Sequence, residues 1–91
     1  MNAQDIERRL ASHPGWTFAD NALEKTFTFA GFPDAIAFVT RLAFDAEAAD
    51  HHPDLAISYK RVTVRWSTHS DGGVTEKDFA GVGQSEKIAG T

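Results

Sequence analysis

Between Leu23 and Phe29 the chain reads LEKTFTF, which sets Leu23, Lys25, Phe27 and Phe29 against Glu24, Thr26 and Thr28. Only an extended strand, whose successive side chains point to opposite faces, turns that alternation into one apolar and one polar surface. The same period recurs in LAISY, with Leu55, Ile57 and Tyr59 in step, and in RVTVRWSTH, with Val62, Val64 and Trp66 in step. Each pattern has a neighbour to pair with. WTF (residues 16–18) precedes the first across the turn-prone Asp20–Asn21, and a short link joins the other two. Two antiparallel hairpins are predicted, the second without the Asn-Gly signal that marks the tightest turns.

A sheet that is apolar on one face needs a cover, and the chain between the hairpins provides it. In GFPDAIAFVTRLAFDAEAAD, Pro33 suits a first helical position and Asp34 complements the positive end of the helix dipole. Ala35, Ile36, Val39, Leu42, Ala43 and Ala46 form a broad apolar stripe, and the helix must end before Pro53. Upstream, Ile6 and Leu10 stand four apart, predicting a short amphipathic helix within Ala3–Ser12 that stops at HPG (residues 13–15). Histidine 13 reads as a surface turn residue. Downstream, SDGG supplies a turn and TEKD (residues 75–78) matches a capping box opening a last helix, with Phe79, Val82 and Ile88 inward. Gly81 and Gly83 each cost about 1 kcal/mol against alanine, so this helix is expected to fray. The element order predicts an α+β fold with one domain over residues 1–91. Its simplest form is a two-layer structure, a four-stranded antiparallel sheet with helices packed on one face.

Charge and composition narrow the function. The formal charge of −4 and the isolated basic pairs Arg8–Arg9 and Lys60–Arg61 leave no clustered basic footprint for nucleic acid. Without cysteine there is no disulfide framework, thiolate metal site or cysteine nucleophile. The polar start MNAQDIERRL lacks an apolar signal core, and no run approaches the roughly 18 apolar residues of a membrane span. A cytoplasmic protein that binds neither nucleic acid nor membrane is expected.

Histidines are the remaining side chains suited to chemistry. His51 and His52 lie together in DHHPDL, and His69 follows in STHS. Glu47 precedes His51 by four residues, so both would project from one side of a continuing helix. Pro53 pushes His52 towards extended geometry and so turns its ring elsewhere. His69 is expected at the end of a strand, with Asp78 in the first turn of the next helix. Three readings compete. Paired histidines can simply be polar residues ending a helix. Three histidines with a carboxylate can bind zinc, although adjacent histidines rarely point at one ion and no standard ligand spacing is present. The third is metal-free acid–base chemistry, which suits a side chain titrating near neutrality.

The run EAADHHP from Glu47, the STH at Ser67–His69 and GVTEKD ending at Asp78 resemble the pterin-4a-carbinolamine dehydratase family. Gly15–Trp16, Phe27–Phe29 and the GFPDAIAFVTRLA helix extend the resemblance over nearly the whole chain. It implies dehydration of 4a-hydroxytetrahydrobiopterin, a pterin substrate, to quinonoid dihydropterin, with neither metal nor cofactor. It implies His51, His52 and His69 as the catalytic set. His51 and His69 would be the acid–base partners, and His52 would orient substrate and stabilise charge. Glu47, Asp50, Pro53, Ser67, Thr68 and Asp78 would bind substrate or hold the imidazoles. Two positions depart from the family pattern. Leu55 stands where an aromatic is frequent, reducing a stacking contribution of about 1 kcal/mol, and Lys77 replaces a frequent arginine, a point charge for a fork. The wider family also contains protein-binding dimerisation cofactors and assembly factors for a carboxylating enzyme, so a non-catalytic binding role is the alternative. Self-association as a homodimer or homotetramer is expected in either case.

Overall fold

A computed structural model describes residues 1–90. The order is α1 (Ala3–Leu10), β1 (Thr17–Ala19), β2 (Ala22–Thr28), α2 (Phe32–Ala49), β3 (Asp54–Ser58), β4 (Arg61–Trp66) and α3 (Glu76–Ala89). A single 3₁₀ turn, His69–Asp71, lies between β4 and α3. The four strands form one antiparallel sheet in the order β1-β2-β4-β3, which makes the fold α+β as expected.

The two hairpins close differently. Asp20 and Asn21 both take positive φ, 51° and 61°, the requirement of a two-residue turn whose twist matches the flanking strands. In the second hairpin, Tyr59 takes the positive φ, 53°, a position that usually selects small residues. Its register is fixed from outside, because β4 also pairs with β2 over its whole length, Leu23 opposite Trp66 and Thr28 opposite Arg61.

That central pair makes both faces legible. Leu23 and Phe27 share the buried face with Val62, Val64 and Trp66. On the open face Thr26 and Thr63 share a 2.8 Å hydroxyl hydrogen bond, and Arg65 pairs with Glu24 at 3.3 Å. Such cross-strand contacts contribute a few tenths to about 1 kcal/mol each. Lys25 falls on the buried face by the same alternation. Its Nζ lies 4.7 Å from the centroid of the Phe27 ring and donates to both Glu86 carboxylate oxygens at 2.9 Å.

Helix α2 covers the sheet through Ala35, Phe38, Leu42 and Ala46. Ile36 and Val39 are half-buried and Ala43 is exposed, so the buried stripe is rotated from the sequence reading. Phe38 decides the rotation, its ring lying 5.1 Å from Phe27 and 4.9 Å from Phe29 between centroids. Strand β3 overhangs the helical layer. Leu55 and Ile57 remain 36% and 42% exposed and Tyr59 67% exposed. His13 lies in the turn expected of it but is half-buried, its ring 5.9 Å from that of Phe79.

Helix α3 runs unbroken through both glycines, because one of them is required there. A Cβ on Gly81 would lie 2.4 Å from the Trp66 ring, whereas one on Gly83 would meet open space. We therefore expect Gly81→Ala to destabilise by about 1–3 kcal/mol despite better helix propensity, and Gly83→Ala to stabilise by about 0.5–1 kcal/mol. Denaturant unfolding of the two variants checks this. Equal shifts in the same direction would mean that Trp66 is free to yield.

Candidate active site

The end of α2 sets the first two histidines. Asp50 takes the left-handed conformation (φ 51°, ψ 42°), which aspartate tolerates better than most residues. The reversal lets the His51 amide donate to the Ala46 carbonyl at 3.0 Å and the Asp50 amide to the Glu47 carbonyl at 3.1 Å. These paired bonds satisfy the last carbonyls of the helix and fold His51 back against the protein. Pro53 then keeps the chain extended, and His52 points away. Hence the His51 side chain is 14% exposed and that of His52 56%. Glu47 meets His52 rather than His51, its Oε1 2.8 Å from Nε2, because the helix ends before His51 can stack above it.

The start of α3 holds His51 from the other side. Thr75 caps the helix, and the Asp78 carboxylate returns to accept the Thr75 amide at 2.9 Å. Asp78 also accepts the Thr68 hydroxyl at 2.7 Å, and its second oxygen lies 2.6 Å from His51 Nε2. Fully buried, an ionised Asp78 accepts on both oxygens, an arrangement that puts the His51 proton on Nε2 and leaves Nδ1 for other work. The His51 ring stacks on Trp66, centroids 5.4 Å apart and planes 22° apart. Trp66 is itself fixed, its Nε1 donating to Ser85 at 3.0 Å and Ser85 to the Gly81 carbonyl at 2.8 Å. Thus His51 is clamped between a carboxylate and an indole.

His69 arrives on the loop after β4. That strand ends at Trp66, earlier than its alternation suggested, because Thr68 pairs with Gly73 in an isolated bridge. The loop so closed puts His69 at the start of the 3₁₀ turn, its Nε2 3.4 Å from the Ser67 hydroxyl. Asp50, His51, His52, Ser67, Thr68 and His69 all line one open hollow of about 340 Å³, large enough for a small bicyclic ring. Among the described residues no group of three or more His, Cys, Asp or Glu is placed to hold a metal ion.

The sequence model described as pterin 4 alpha carbinolamine dehydratase matches residues 1–88. The chain belongs to that family. A relative from Chloroflexus aurantiacus, provisionally named pterin-4-alpha-carbinolamine dehydratase, is 48% identical over 90 residues, covering 99% of this chain and 97% of its own. One from Thermosynechococcus vestitus with the same provisional name is 54% identical over 79 residues, covering 87% and 83%. Among solved structures, a transcriptional coactivator/pterin dehydratase from Brucella Melitensis superimposes with TM-score 0.92 at 34% identity, covering 98% and 97%. A pterin dehydratase-like protein identified as a RuBisCO assembly factor in the alpha-carboxysome shares the fold, with TM-score 0.72 at 23% identity over 87% and 94%.

Of the residues that the resemblance gave to substrate binding or to holding the imidazoles, Glu47, Pro53 and Asp78 do not line the hollow. Asp78 is turned inward to cap α3 and reaches the hollow only through His51. Glu47 reaches it through His52. Pro53 is half-buried and acts on the chain direction. Ser70 and Lys77 also line the hollow, Lys77 from the position where the family pattern frequently has arginine. Lys77 sits within the TEKD capping motif, where its exposed side chain was a legible signal. Trp66 read as core, and it is core; its second face against His51 had no sequence signature.

Proposed function

We propose that the chain, one domain over residues 1–91, is a hydro-lyase that dehydrates 4a-hydroxytetrahydrobiopterin to quinonoid dihydropterin and water, serving tetrahydrobiopterin recycling in the cytoplasm. The observation that carries this reading is the convergence of His51, His52 and His69 on one open hollow, with His51 held by a buried carboxylate. The reaction removes a proton from the ring nitrogen beside C4a and hydroxide from C4a, leaving a double bond between them. His51 is the base. Its Nδ1 takes the nitrogen-bound proton, and Asp78 stabilises the imidazolium so formed, as in other Asp–His pairs. His69, on an exposed loop with access to solvent protons, gives a proton to the departing hydroxyl. His52, paired with Glu47, orients the ring, and Asp50, Ser67 and Thr68 hold its polar edge. Positioned acid and base groups are worth about 10²–10⁴ each, enough to carry the step without a metal ion.

The test is the decay of 4a-carbinolamine, generated in situ and followed by absorbance, with and without the protein and with a chelator. Acceleration that survives chelation is expected. Decay at the uncatalysed rate would remove the enzymatic reading, and zinc-dependent acceleration would remove the metal-free one.

The competing reading is a protein-binding or assembly role on the same fold. An open hollow that retains all three histidines favours the enzyme. We also propose self-association as a homodimer or homotetramer through β3, whose outer edge is unpaired and bears the exposed Leu55 and Ile57. Sedimentation that yields only the monomer mass would contradict it.

A further inference from the structure

Ser85 lies inside α3 and is fully buried, in a place where a hydroxyl is costly unless partnered. Both of its partners are present. Its hydroxyl donates to the Gly81 carbonyl at 2.8 Å, one turn back, and its oxygen accepts Trp66 Nε1–H at 3.0 Å. Gly81 and Ser85 stand four apart and so share one face of α3, where both meet the same indole. Gly81 lets the ring approach the helix closely, and Ser85 fixes its angle there. That indole carries the His51 ring, 5.4 Å away between centroids and 22° from parallel. Packing alone does not hold the stack. A cavity of about 50 Å³ borders both rings, with Leu42, Ala46, Ala80 and Gly81 among its walls, so an indole released from Ser85 has room to tilt.

We propose, on the reading of His51 as the base, that Ser85 is a positioning residue for proton transfer, acting through Trp66. The Asp78 bond anchors His51 at Nε2 alone, and a single hydrogen bond leaves the imidazole able to turn about that anchor. The stack on Trp66 supplies the missing constraint. It sets the plane of the imidazole, and with it the direction in which the Nδ1 lone pair points. Trp66 acts again once His51 has taken its proton, because the face of an indole attracts a positive charge placed over it. Loss of the Ser85 bond would therefore misdirect the base without touching the groups proposed to hold the pterin, Asp50, Ser67 and Thr68. Misdirection of a reacting group costs rate and not binding.

Ser85→Ala removes the hydroxyl and adds nothing. Its kcat for carbinolamine dehydration is expected to fall about three- to tenfold, the scale of one net hydrogen bond, with KM within about twofold of wild type. A spectroscopic signature accompanies the loss. The His51 ring protons, shifted upfield by the indole against them, should move towards unstacked positions in the variant, a change that a uniform loss of stability does not produce. Trp66→Phe keeps an aromatic face but offers Ser85 no N–H, so adding Ser85→Ala to it should cost no further rate. Unchanged kcat in Ser85→Ala, a loss carried by KM alone, unmoved His51 resonances, or an equal Ser85→Ala loss in the Trp66→Phe background would each overturn the proposal. If Trp66→Phe does not fold, the kcat and the His51 resonances of Ser85→Ala decide between the two outcomes. The catalytic reading fails separately. A wild-type protein that leaves carbinolamine decay unaccelerated loses the dehydratase role, whereas His51 resonances that still respond to Ser85→Ala show that Ser85 positions the ring.

Discussion

Replacing His51 with alanine is expected to lower carbinolamine turnover by about 10²–10⁴ while the protein remains folded, the usual loss for one positioned acid–base group. The geometry singles out this histidine. It is the one whose Nε2 meets a buried carboxylate and whose ring is stacked on Trp66, so its free nitrogen is held in one place before substrate arrives. His52 is more exposed and its Glu47 partner lies at the surface; surface pairs of this kind contribute little. His52→Ala should therefore fall well short of the His51→Ala effect. Steady-state rates for the two variants, with circular dichroism to verify folding, decide the order. A folded His51→Ala protein within a few-fold of wild type would take His51 out of proton transfer.

Asp78→Asn should show nearly the same kinetic loss for a different reason. The asparagine oxygen can still accept the Thr75 amide and preserve the cap of α3, but its amide nitrogen would face His51 as a donor. Imidazole answers a donor with its unprotonated nitrogen, so His51 would turn to the Nδ1-protonated tautomer and present N–H where a base is needed. In other Asp–His pairs the wrong tautomer lowers turnover on the order of 10⁴. Because Asp78 is a positioning residue, the decisive readout is a double-mutant cycle. The Asp78→Asn, His51→Ala protein should be no slower than His51→Ala alone. Multiplying losses would mean that Asp78 acts independently of His51. Asp78→Ala is the more disruptive change. It leaves the Thr75 amide, the Thr68 hydroxyl and His51 Nε2 without their acceptor and should cost about 3–5 kcal/mol of stability, a large part of what a small domain has.

Much of the architecture is legible in the sequence because it rests on local rules. Alternation at Leu23–Phe29 and Val62–Trp66, the Asp20–Asn21 turn and the Thr75–Asp78 capping box each fix an element by neighbours within a few residues. What the sequence hides depends on where elements meet. The rotation of α2 is set by Phe38 against Phe27 and Phe29, aromatics from other elements. Gly81 reads as a weakness in α3 until the Trp66 ring occupies the space beside it. Leu55 and Ile57 alternate like core residues, yet β3 lies beyond the helices that would cover them.

The site divides in the same way. The identity of the three histidines follows from spacing and resemblance, but their partners do not. Asp50 reverses the chain one residue before His51, and that single left-handed residue transfers Glu47 from His51 to His52 and delivers His51 to Asp78. A helix continued past Asp50 would pair Glu47 with His51, the wrong group.

The most direct test of the account is a titration of the histidine ring resonances, with ¹³C-labelled imidazoles, by a 7,8-dihydropterin that cannot react. His51, His52 and His69 are expected to shift together along one saturation curve, while His13, packed on Phe79 away from the hollow, stays still. A His69 signal that does not move as the other two saturate would contradict it, because the ring would then bind without the residue assigned to protonate its leaving group.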